Sequence, residues 1–152
     1  MAKTGIKMNH VPYKSSGQVM TDVVAGHVDM AFDNIPTVAQ QASAGNVRAL
    51  AVTSLERAPL MPDVPPMADY LPGFEATSWH GLFAPAGTPP EIVDKISAEV
   101  QRIMQEPAMQ ERLRKMGAKP IGSTPQEFAQ FIAAEREKWA VVIKEANVTI
   151  DG

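Results

Sequence analysis

The sequence predicts an α/β fold, with one βαβαβ unit followed by amphipathic helices that have no evident sheet of their own. Three observations predict it. Between Met8 and Thr53, short apolar β-like runs alternate with stretches of helical periodicity, the pattern of a parallel sheet with crossover helices. Between residues 55 and 73, Pro59, Pro62, Pro65, Pro66 and Pro72 interrupt any regular element. Beyond residue 88 three amphipathic helices follow, while only segments 75–84 and 118–121 offer strands for them to cover.

Taken in order, His10-Val11-Pro12-Tyr13 reads as an extended first strand. It enters Ser15-Ser16-Gly17-Gln18, a candidate capping box, and then Val19, Met20, Val23 and Val24 at helical spacing, ended by Gly26. Val28-Asp29-Met30-Ala31-Phe32 is the second strand, Asn34 to Ala44 a second helix stopped by Gly45-Asn46, and Val47-Arg48-Ala49-Leu50-Ala51-Val52 the third strand. After the proline-rich connection, Glu75 to Ala84 reads as a strand passing between lobes. Thr88-Pro89-Pro90-Glu91 and Thr124-Pro125-Gln126-Glu127 each offer a capping threonine, a proline at the helix start and a glutamate in the first turn. Ile92, Ile96, Val100 and Ile103 form one apolar stripe, and Pro107 starts a helix through Leu113 and Met116. Phe128, Phe131, Ile132, Trp139, Val142 and Ile143 form another stripe. Either these helices pack on one another as a bundle, or the sheet they cover lies outside this stretch of sequence.

The composition narrows the function classes. With 45% apolar and 20% charged residues, the 152-residue chain has the make-up of a soluble globular protein of one domain or two small ones. Fourteen basic against seventeen acidic residues, with no Lys/Arg run longer than two, count against nucleic acid or an anionic membrane surface as partner. The absence of cysteine excludes disulfides, thiolate zinc sites and cysteine nucleophiles. No apolar run approaches the roughly 20 residues that span a bilayer, and Met1 to Lys7 lacks the apolar core of a signal peptide.

In an open parallel sheet the ligand crevice lies beyond the carboxyl ends of the strands. Three polar clusters fall there: Tyr13-Lys14-Ser15-Ser16-Gly17, Asp33-Asn34 and Thr53-Ser54. In the first, Gly17 would let a ligand approach the free N–H groups of a first helical turn, where a carboxylate fits. The plainer alternative is that Ser15 caps a helix, Lys14 is solvated and Asp33-Asn34 is a turn. His10, His27 and His80 lack the spacing of a metal site, so no metal is expected. Ser78-Trp79-His80 sets a hydroxyl beside an imidazole, but neighbouring strand residues face opposite ways and no nucleophile elbow is present. Trp79 is either a core residue or a cleft wall, and Met104, Met109 and Met116 read as core filler. No dinucleotide or phosphate-loop glycine motif is present, so no nucleotide cofactor is expected.

Five ordered blocks carry a resemblance: Val11 to Gly17, Ala25 to Asn34, Gly45 to Ser54, Ala76 to Pro89, and Gly122-Ser123-Thr124-Pro125. Together they closely resemble the tripartite tricarboxylate transporter substrate-binding family (TctC, or Bug, proteins) from His10 to about Val148. The resemblance implies a type II periplasmic-binding-protein-like architecture, in which two α/β lobes close on a small carboxylate that passes to a membrane permease. It implies a periplasmic location, no enzyme activity and no cofactor. Family members are roughly twice this length, so a C-terminal half is expected. Residues 9–78 would be the solute-binding lobe, and residues 79–152 the return strand and C-terminal helices of a lobe whose N-terminal part is absent.

Carried over onto this sequence, the ligand-binding loops fall on Tyr13, Lys14, Ser15, Ser16 and Gly17 and on Asp33 and Asn34. Donors at Ser15, Ser16 and Gly17 are expected to hold a carboxylate, with Tyr13, Asp33 and Asn34 on the remaining polar groups and Lys14 secondary. Ser16 stands where glycine is common in the family. Half a clamp is expected to bind in the millimolar range or not at all. The alternative is a self-associating interaction module, a homodimer through the exposed C-terminal helices burying Phe128, Phe131 and Trp139, with no solute function.

Overall fold

The computed structural model describes residues 4–146. The opening three residues of the stretch compared with a signal peptide, and the last six of the second expected domain, lie outside the described residues. Among those described, five α-helices form where the periodicity places them: α1 Ser16–Val24, α2 Ile35–Ser43, α3 Pro90–Met104, α4 Pro107–Lys115 and α5 Pro125–Ala146. A single 3-10 turn, Met67–Asp69, lies inside the proline-rich connection.

Glycine ends three of these helices by one mechanism. Gly26, at φ 75°, follows the C-cap of α1, so that its N–H reaches Val23 O at 3.1 Å and the His27 N–H reaches Asp22 O at 2.8 Å. This pair of bonds satisfies carbonyls that the helix cannot. Gly45 does the same for α2 and Gly117 for α4. At the start of α3 the expectation needs correction. Pro89 is the N-cap and makes no side-chain cap bond, because its ring offers no acceptor. At α5 the expected box does form: Thr124 N–H and Oγ1–H donate to Glu127 Oε2 at 2.8 and 2.9 Å, and the Glu127 N–H donates back to Thr124 Oγ1 at 3.2 Å.

The strands are the larger correction. Among the described residues none of the segments read as strands forms a ladder, and the only pairing is an isolated parallel bridge between Val52 and Pro66. The Val52 N–H donates to Pro65 O at 2.9 Å and the Met67 N–H to Val52 O at 2.8 Å. The end of the third segment is therefore held by the connection rather than by a neighbouring strand. Short strands need several partners and a covered face to persist, and the α/β pattern is here realised in its helices.

The chain divides into two compact units. One comprises Pro12–Pro85 with Glu106–Pro120 and therefore holds α1, α2 and α4. The sequence reading grouped α4 with the C-terminal helices, but its end packs elsewhere: a Cβ at Gly117 would lie 3.2 Å from Leu60 Cδ1 and 3.5 Å from Ile35 Cγ2. The other unit holds α3 and α5. There, a Cβ at Gly122 would come 3.0 Å from the Met104 side chain, so the lead-in to α5 lies on the last turn of α3.

Little of the apolar surface is covered. Among the described residues Met20, Val52 and Ala58 form the buried apolar core. Ile92 and Ile96 of α3, and Phe131, Trp139, Val142 and Ile143 of α5, stay exposed. The stripes that the sequence marks for burial are thus present as faces but have no sheet over them among the described residues. Phe128 and Phe131 stack, with ring centroids 6.4 Å apart.

Candidate functional site

The site begins with two helix starts in the same unit. Ser15, extended at φ −156° and ψ 152°, is the N-cap of α1, yet its side chain makes no cap hydrogen bond. The capping box read from Ser15 and Gln18 is therefore not formed, and the first-turn N–H groups of α1 have no side-chain acceptor at the cap. Asn34, the N-cap of α2, likewise makes no side-chain cap bond. α1 and α2 pack on each other.

Side chains beside and at these caps bond across the gap. Ser16 Oγ–H donates to Asp33 Oδ1 at 2.7 Å, and the same oxygen accepts the Asn34 N–H at 2.7 Å. Asp33 Oδ2 is enclosed and has no hydrogen-bond partner. Asn34 Oδ1 accepts Ser78 Oγ–H at 2.8 Å, across 44 residues of sequence. Ser16, Asp33, Asn34 and Ser78 are thus one hydrogen-bonded row over the starts of α1 and α2. The first-turn N–H groups of α1 stay open beside the row, whereas at α2 Pro36 has no N–H and the Thr37 N–H is bonded to Asn34 O at 3.1 Å.

The other expected residues are distributed around it. Lys14, Ser15 and Gly17 are exposed, and a Cβ at Gly17 would meet nothing within 4 Å. Tyr13 belongs to a second cluster: its hydroxyl donates to Asp22 Oδ2 at 2.7 Å, and His27 Nδ1 lies 3.4 Å from Asp22 Oδ1. The bond to Asp22, with some desolvation, raises the Tyr13 hydroxyl above its ordinary pKa. The Tyr13 hydroxyl and then His27 hold the Asp22 carboxyl below its own.

The third strand end joins the row differently from expectation. Ser54 Oγ–H turns onto Glu56 O at 2.7 Å, while Thr53 O accepts the Ala76 N–H at 3.0 Å. That bond sets the segment after the connection beside the rim and carries Ser78 to Asn34. Sequence reasoning weighed Ser78 only as a nucleophile beside His80. Its bond to Asn34 had no sequence signal. Asp22, the partner of Tyr13, and His27, which lies against Asp22, also carried no signal.

Two open depressions lie elsewhere in this unit. One of about 220 Å³ is lined by residues of α2 and of the segment Leu60 to Val64, and one of about 400 Å³ lies along α4. Neither includes a rim residue. Among the described residues no group of three metal-ligating side chains is assembled, and no helix is long and apolar enough to cross a membrane.

Comparison with known proteins adds to this geometry. A family model described as the tripartite tricarboxylate transporter family receptor matches residues 1–148. The chain is 40% identical over 146 residues to the "UPF0065 protein in tcbD-tcbE intergenic region" of Pseudomonas sp. (strain P51), covering 95% of this chain and 44% of that protein. It matches the solved structure of R. palustris Rpa4515 with adipate at a TM-score of 0.86 and 35% identity, covering 97% of this chain and 50% of the other. For the periplasmic binding protein BugD the values are 0.78 and 36%, covering 95% and 49%. For MatC from Rhodopseudomonas palustris with bound malate they are 0.71 and 34%, covering 88% and 47%. These likenesses establish the α/β, periplasmic-binding-protein-like fold class, and the chain spans about half the length of the relatives it matches.

Proposed function

The chain belongs to the tripartite tricarboxylate transporter receptor family, a family of substrate-binding receptors rather than enzymes, and we propose that its row of residues over α1 and α2 is one jaw of a carboxylate-binding cleft. The observation that carries this reading is the 2.7 Å bond from Ser16 to Asp33, which draws two uncapped helix starts together. Open N–H groups at the start of α1 favour an anion, and a carboxylate offers the acceptors they need. The first-turn N–H groups of α1, with Ser15, Asn34 and the exposed Lys14, supply the contacts. Gly17 leaves room for close approach. Tyr13, Ser16 and Asp33, whose polar groups already bond within the protein, shape the rim.

Binding of adipate and malate by structurally similar proteins supports a small dicarboxylate as ligand. Residues 9–78, with α4 in the same unit, serve as the solute lobe, and the rest of residues 79–152 completes a second lobe whose remaining elements cover the exposed faces of α3 and α5. The receptor works in the periplasm and hands its ligand to a membrane permease. A second reading, two copies paired through α5, rests on the exposure of Phe131 and Trp139, and a compact monomer in light scattering would discard it.

One jaw alone makes half the contacts and leaves the ligand in water, so the chain by itself binds in the millimolar range or more weakly. Isothermal titration with a panel of C4–C6 dicarboxylates tests this, and micromolar binding to a monomer would refute it.

A further inference from the structure

We propose that Ser78 is a positioning residue of this carboxylate site, fixing the side-chain amide of Asn34 so that its Nδ2 hydrogens face the ligand. The inference rests on the reading of the rim given above and deepens it. Asn34 is exposed and does not cap its own helix, so nothing within α2 holds its side chain. Ser78 Oγ–H, 2.8 Å away, occupies Asn34 Oδ1, and an amide whose oxygen is taken presents its two N–H donors on the other side. Those donors are what a carboxylate requires. An amide turned the opposite way would offer it a repelling oxygen.

Ser78 itself is delivered by the backbone. The Ala76 N–H bonds to Thr53 O at 3.0 Å, two residues earlier, so the segment that follows the proline-rich connection reaches the rim in fixed register. Asp33 works from the other side: its Oδ1 takes the Asn34 N–H and the Ser16 hydroxyl, both at 2.7 Å. Backbone and side chain of Asn34 are therefore held by different partners, and removal of Ser78 frees only the side chain.

The test uses the ¹⁵N-labelled chain titrated with malate and with adipate to tens of millimolar, reading the backbone amides of Gly17 and Gln18 and the Asn34 side-chain NH₂. In the unmodified chain all three are expected to shift along one isotherm. Ser78→Ala should weaken binding about 2- to 10-fold, the worth of one hydrogen bond, and abolish most of the Asn34 NH₂ shift, with helicity and melting unchanged. Ser78→Thr should restore both. In Asn34→Ala, adding Ser78→Ala should cost nothing further, the mark of residues that act as a pair.

Equal binding by the unmodified chain and Ser78→Ala, with Asn34→Ala weakened, would overturn the role of Ser78 and leave the rim intact. A loss of affinity that tracks lost helicity, equal with and without Asn34, would also overturn it. Silence of the Gly17 and Gln18 amides toward both acids would instead remove the rim reading, and this inference with it.

Discussion

The starts of α5 and α1 carry similar residues, a hydroxyl at the cap and a Glu or Gln three positions on, yet they are built in opposite ways. At α5, Thr124 and Glu127 exchange three hydrogen bonds and the lead-in is packed, with the Gly122 Cβ position 3.0 Å from the Met104 side chain. At α1, Ser15 makes no cap bond, and a Cβ at Gly17 would touch nothing within 4 Å. A helix start that closes its own cap consumes its donors, whereas one left open keeps them available to a ligand. Substitutions at the two starts should therefore separate stability from binding.

The largest effect is expected at Gly122→Ala. The residue sits at φ 67°, where a side chain is strained, and its Cβ would crowd Met104. A loss of about 1–2 kcal/mol is expected from the backbone conformation alone, read by urea unfolding, with no change in the response of the Gly17 amide to malate. An unfolding free energy equal to that of the unmodified chain would mean that the α5 lead-in is not packed as described.

Thr124→Ala comes next, at about 1 kcal/mol for a lost cap. Ser15→Ala at the open start should stay within about 0.5 kcal/mol, as for a surface residue with no bond to lose. Equal losses at the two positions in thermal unfolding would erase the distinction between a closed and an open start.

Gly17→Ala sharpens the contrast because its two effects have opposite signs. Alanine inside a helix is favoured over glycine by roughly 0.5–1 kcal/mol, and there is space for the methyl group, so stability should rise. The same methyl group stands where a ligand would approach the backbone, so the malate response of neighbouring amides should fall. Higher stability with undiminished binding would move the ligand away from this turn.

These contrasts mark what was legible in the sequence. Helices were, because the apolar spacing of Val19, Met20, Val23 and Val24, and the stops at Gly26 and Gly45, act over a few residues. Strand ladders were not, because pairing depends on partners remote in sequence, and Val52 finds Pro66 instead. The rim was legible in part. Placing polar residues at strand ends picked out Ser16, Asp33 and Asn34, which the structure joins by hydrogen bonds. The bond from Ser78 to Asn34 was not legible, because the place of Ser78 depends on the Ala76 to Thr53 bond across the connection. Side-chain partnership at a cap escaped for a related reason: Ser15 has the right residue type, but the neighbouring Ser16 bonds to Asp33 rather than into a box.

The smallest expected effect is electrostatic and tests the closed start alone. The Thr124 backbone N–H, and secondarily its hydroxyl, donate to the Glu127 carboxylate and hold its pKa below the ordinary glutamate value. Because the folded value lies below the unfolded one, the stabilisation is complete above the unfolded pKa and is lost as pH falls through the folded pKa. Acid should therefore fray the first turn of α5 at a pH below that at which an ordinary glutamate protonates, visible as a shift of the Thr124 amide that follows Glu127. In Thr124→Ala the backbone donor, the larger cause, remains, so the Glu127 midpoint should move only part of the way back to its ordinary value. Full return would assign the effect to the hydroxyl, while no movement would mean that the hydroxyl bond at 2.9 Å does not persist in solution.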